Sequence, residues 1–77
     1  MNNNVDIGIL IKNVMATKGI TASHLAKEIA TTRTNVYKIL RKKNIDTYLL
    51  IRISRAMNHN FFKDISEILF GEYEQRS

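Results

Sequence analysis

The chain has no cysteine, no proline and no tryptophan, and only three glycines in 77 residues. Without cysteine there is no disulfide to staple a small fold and no thiolate zinc site. That absence also fits a cytoplasmic protein. Two histidines, His24 and His59, stand far apart and neither has a second histidine one helical turn away, so no metal is expected. No glycine-rich phosphate loop occurs, and no motif surrounds Ser23, Ser54, Ser66 or Ser77. The chain is therefore not expected to be an enzyme or to carry a cofactor. The longest apolar runs, "IGILI" and "YLLI", are far too short to span a bilayer. "MNNNVDIGILI" has no basic n-region and no small-residue cleavage site, so it does not read as a secretory signal.

Acid is also scarce over most of the chain. Residues 1–63 hold eleven Lys/Arg against Asp6, Glu28 and Asp46, a balance of +8. Residues 64–77 hold Arg76 against Asp64, Glu67, Glu72 and Glu74, a balance of −3. The sum is the net +5 of the whole chain. A basic body implies a polyanionic partner: DNA, RNA or an anionic membrane surface.

The apolar residues recur at helical spacing, and no useful strand-like alternation interrupts them. Residues 1–4 read as a short flexible N-terminus. From Val5, the residues Ile7, Leu10, Ile11, Val14 and Met15 line one side of a first helix that ends at Gly19. Thr21 can cap a second helix with Leu25, Ala26 and Ile29 inward. Thr32 can cap a third, over 33–42, with Val36, Ile39 and Leu40 inward. Asp46 can cap a fourth containing Leu49, Leu50, Ile53, Ala56 and Met57. Asn60 can cap a fifth, with Phe62, Ile65, Ile68 and Leu69 on one side. The expectation is an all-α domain of four or five short helices.

The very tight turn between the second and third helices forces a large crossing angle. Ala26 and Ala30 are expected where the helices nearly touch, and the third helix can stand out from the body. The stretch "TTRTNVYKILRKK", residues 31–43, carries five basic side chains and no acidic one. On helical phasing, Thr34, Lys38 and Arg41 point outward, Arg33 and Asn35 occupy the exposed first turn, and Tyr37 lies on a shoulder.

"ITASHLAKEIATTRTNVYKIL" and "LLIRISRAMNHNFFKDI" resemble the phage-repressor, XRE-type helix-turn-helix domains. The resemblance spans roughly Ile7 to Ile65. Leu25, Ala26, Ile29, Thr32, Val36 and Ile39 match the family's core and cap positions, and Ile53, Ala56 and Met57 match its closing helices. Two positions depart from the pattern. Ala22 stands where the family often has an exposed glutamine, and Ala30 where it often has a turn glycine.

The resemblance implies a compact repressor-like domain over 5–65 whose third helix enters the major groove of double-stranded DNA. Side-chain chemistry suits that role. Arg33 can pair bidentately with guanine, Thr34 can meet a thymine methyl, Lys38 can reach a base one turn on, and Asn35 can pair with adenine. Arg41, Lys42, Lys43 and Asn44 are expected on phosphates. Thr21 and Ser23, at the start of the second helix, with Lys27 and the Tyr37 hydroxyl, are further phosphate candidates. Lys12, Lys18, Arg52 and Arg55 read as solvated surface.

Residues 66–77 form an acidic C-terminal extension. Within "ISEILFGEY", Ile65, Ile68, Leu69, Phe70 and Tyr73 exceed what a minimal core needs, which suggests a homodimer contact. Two alternatives compete with a transcriptional regulator. One is a protein-interaction module, such as the antitoxin partner of a toxin. The other, a membrane-surface helix in "RTNVYKILRKK", is weaker because Val36, Ile39 and Leu40 are needed by the core. RNA binding is disfavoured because no aromatic stacking platform is evident.

Overall fold

A computed structural model describes the backbone of residues 5–76 and the side chains of residues 5–71. The expected flexible segment 1–4 lies outside the described residues. Five helices follow in order: α1 (Ile7–Lys18), α2 (Ala22–Glu28), α3 (Arg33–Leu40), α4 (Thr47–Met57) and α5 (Phe61–Arg76). None is long and apolar enough to cross a membrane among the described residues.

Each helix begins where a short polar side chain can accept from the first turn. Asp6 accepts from the Ile9 N–H, Thr21 from His24, Thr32 from Asn35, Asp46 from Leu49 and Asn60 from Lys63. These caps satisfy donors that the helix cannot pair internally. Three of the helix ends use the left-handed backbone. Gly19, at φ 69°, closes α1; Ala30, at φ 56°, follows α2; and Asn58, at φ 52°, closes α4. After α2, the Ala30 N–H donates to the Lys27 carbonyl and the Thr31 N–H to the Ala26 carbonyl. This pair of bonds is a Schellman closure, built here on alanine instead of glycine.

The core joins all five helices. Ile11, Leu25, Val36, Ile53 and Phe61 are essentially inaccessible, with Met15, Ala26, Ile29, Ile39, Leu50 and Met57 packed around them. The helix α2 packs on α3 and α4, and α1 packs on α3.

The structure corrects several expectations. Phe61, not Phe62, is the inward anchor of α5; Phe62 stays partly outside. Ala30 is exposed, so it does not sit where the helices touch; it makes the turn. Ala22, expected at an exposed helix start, is buried, its methyl turned to the core. The third helix ends at Leu40 rather than at residue 42, with Arg41 as its C-cap.

Two cations read as solvated are also structural. Lys18 Nζ donates to the Met57 and Asn58 carbonyls, at 3.1 and 2.8 Å. Arg52 donates to the Ile29 carbonyl at 2.6 Å and lies 6.0 Å from the centre of the Tyr48 ring. Each cation satisfies carbonyls at the end of another helix, where the helix dipole favours positive charge. His59 follows the end of α4. It is half-buried, 2.5 Å from an Asp64 oxygen and edge-on to Phe61.

Candidate nucleic-acid interface

The geometry of α3 follows from its two faces. Val36, Ile39 and Leu40 are buried and bind the helix to the body. Arg33, Thr34, Asn35, Tyr37 and Lys38 are exposed. Thr32 fixes the start of the helix, and Arg52 ties the turn before it to α4 through the Ile29 carbonyl. The exposed N-terminal face therefore projects from a braced scaffold.

Asn35 is turned back: its amide donates to the Thr31 hydroxyl at 3.0 Å. To meet a base, it would have to leave that partner. No hydrogen bond or salt bridge engages the side chains of Arg33, Thr34 or Lys38 among the described residues. Tyr37 is about half exposed, consistent with a ring on the shoulder of the helix.

At the other end of α3, the chain leaves the helix before Lys42. The Arg41 N–H reaches the Lys38 carbonyl and the Lys42 N–H the Ile39 carbonyl, a tightened last turn. Lys42, Lys43 and Asn44 then lie in the exposed connection to α4. This loop is held from behind by the start of α1. Ile7 N–H donates to the Lys43 carbonyl at 3.0 Å, and Gly8 N–H to the Lys42 carbonyl at 2.9 Å. Basic side chains thus occupy both ends of one exposed helix–loop unit.

The start of α2 is exposed at Thr21, Ser23 and His24. The Thr21 hydroxyl accepts from the His24 N–H and keeps its own O–H to donate. Ser23 and Lys27 are exposed on the same helix. A further surface feature borders the basic loop: a groove between Lys43 and Asn44, Ile45 and the Phe62, Ile65 and Leu69 side of α5. Beyond it, Ile68 and Phe70 are about half exposed. The side chain of Tyr73, the remaining expected dimer residue, lies outside the described residues.

A comparison with known families matches residues 11–69 to the Cro/C1-type HTH DNA-binding domain. The chain belongs to this family. No curated protein and no solved structure gives a significant match.

For a Cro/C1-type domain the geometry has a direct meaning. Such domains bind DNA, and the class is a binding domain rather than an enzyme. The match covers α2, α3 and α4 whole, most of α1 and the first half of α5. One family assignment accounts for the exposed face of the third helix, the tight turn before it and the compact core.

Sequence reasoning missed the tertiary bonds of Lys18 and Arg52, because their acceptors are backbone carbonyls 39 and 23 residues away. It also passed over Gly8. A lone glycine inside a helical apolar pattern costs about 1 kcal/mol against alanine, and that cost is the signal of a packing reason.

Proposed function

We propose that this Cro/C1-type domain binds double-stranded DNA sequence-specifically and regulates transcription. The observation that carries the proposal is the exposed face of α3, where Arg33, Thr34 and Lys38 face solvent on a helix braced from behind. In this reading α3 enters the major groove by its N-terminal end. Arg33 reads guanine, Thr34 contacts a thymine methyl, and Lys38 reaches a further base or phosphate. Asn35 is the least prepared reader, since its amide is engaged with Thr31.

Phosphates are met by Arg41, Lys42, Lys43 and Asn44 at one end and by Lys27, Ser23 and Thr21 beside α2. Tyr37 contributes its hydroxyl from the shoulder. The division of labour is that residues near Thr32 give specificity and residues near Lys43 give affinity. Residues 5–65 carry this function, and residues 66–77 extend it.

The exposed Ile68 and Phe70 support self-association through α5. A two-fold dimer would set two reading helices about 34 Å apart, on successive turns of the duplex. The same apolar surface favours a second reading, a protein partner such as a toxin, with DNA binding secondary.

Titration of a random duplex, and of a duplex selected from a random pool, at several salt concentrations tests the proposal. Contacts to about four to six phosphates per protomer give a log–log salt slope of about −4 to −5. Arg33→Ala should erase the preference between the two duplexes, and Lys43→Ala should weaken both alike. Equal loss of preference in the two variants would refute the assigned reading face. Salt-independent binding, or none to any duplex, would turn the assignment to the protein partner.

A further inference from the structure

We propose that Gly8 is a positioning residue for the DNA-backbone clamp, an inference that rests on the phosphate role given above to Arg41, Lys42, Lys43 and Asn44. Glycine is a poor helix former, yet Gly8 stands in the first turn of α1. Its conformation does not require glycine: the one glycine with positive φ among the described residues is Gly19. Space is the reason. A Cβ at position 8 would lie 2.2 Å from the Leu40 carbonyl oxygen and 2.6 Å from that of Lys42. Both are backbone atoms, so neither can swing aside.

The missing Cβ lets the start of α1 close onto the end of α3. At that distance two of the first-turn donors of α1 find partners outside the helix. Ile7 N–H bonds to the Lys43 carbonyl and Gly8 N–H to the Lys42 carbonyl. The next donor, Ile9, is taken by Asp6. Consecutive carbonyls fixed at two points set the planes of the peptides on either side of Lys43. Because each trans peptide opposes its C=O and N–H, the amides of Lys43 and Asn44 turn away from α1. Residues 42–44 lie outside any helix, and this pair of bonds gives their side chains a fixed origin. Arg33 and Thr34, at the opposite end of α3, do not depend on it.

The test is the salt titration with three proteins: Gly8→Ala, the double variant Lys42→Ala/Lys43→Ala, and the triple combination. Gly8→Ala should lower affinity for every duplex about tenfold at low salt, with the slope reduced by one to two. The ratio between selected and random duplexes should stay within about twofold. In the lysine-free background Gly8→Ala should cost less than about twofold, because its effect passes through those lysines. The same tenfold loss in both backgrounds would overturn the proposal, since Gly8 would then act through the fold at large. Native affinity in the double lysine variant would instead overturn the phosphate assignment itself. Should Gly8→Ala fail to fold, amide exchange on the native chain decides the matter. Duplex should slow the Ile7 and Gly8 amides several-fold more than the Ile20 amide, which bonds to Met15 at 2.9 Å away from the clamp; equal slowing would overturn it.

Discussion

Replacing Ala30 by glycine should stabilise the protein. Ala30 holds φ 56° in the turn between α2 and α3 and is exposed. An L side chain in that region costs about 1–2 kcal/mol through the clash of Cβ with the following carbonyl. Removing Cβ relieves that cost. It also frees the unfolded chain, which opposes folding by about 0.4–1 kcal/mol. No packing is lost, because the methyl group faces solvent. The two effects leave a net gain of about 0.5–1 kcal/mol. For a domain of this size the melting temperature should rise by about 3–6 °C. Thermal unfolding followed by far-UV circular dichroism, with urea titration as a second measure, reads the shift. Asn58→Gly is the internal control: Asn58 has φ 52°, but asparagine tolerates this region, so the gain should be less than half as large. A melting temperature that falls on Ala30→Gly would refute the reasoning, since only the unfolded-state term would then be present.

Arg52→Ala should destabilise by about 1–2 kcal/mol in urea titration, because the Ile29 carbonyl loses a charge-assisted partner at 2.6 Å. Its duplex affinity should fall further than its folded fraction explains, as Arg52 braces the turn before α3. Phe61→Ala should cost about 3–5 kcal/mol by emptying the centre of the core, whereas Phe62→Ala should cost less than about half of that; equal costs would contradict the burial of Phe61. Paired Ile68→Ser and Phe70→Ser replacements should shift the sedimenting mass toward monomer with no loss of helix content, and an unchanged mass would remove α5 from the dimer contact.

Local chemistry made the helices readable. Thr21, Thr32, Asp46 and Asn60 each stand immediately before an apolar periodic run, and each caps the helix that follows. Val36, Ile39 and Leu40 share one face of α3 by spacing alone, so the opposite face had to carry the exposed residues. The end of α3 was harder. Nothing in "LRKKN" breaks a helix, and the stop at Leu40 comes from tertiary bonds that draw the Lys42 and Lys43 carbonyls toward α1. Phe61 and Phe62 are adjacent and chemically identical; which one turns inward depends on the entry angle set by Asn58 and Asn60.

Charge was the least legible property, and its correction bears on function. Eleven cations in residues 1–63 look alike when counted. Lys18 and Arg52 spend their donors on carbonyls at the ends of α4 and α2. Their charge still adds to the long-range field that attracts a polyanion. Each keeps further donors beyond those bonds, so the tie to the fold fixes where its charge sits without using up its hydrogen-bonding capacity. The contacts proposed above draw instead on cations without such ties: Arg33, Lys38, Arg41, Lys42 and Lys43 are clustered on a single helix and its following loop, and Lys27 lies on α2. Net charge thus predicts the kind of partner, whereas the hydrogen bonds of the fold separate the cations held in place from those that can move toward it.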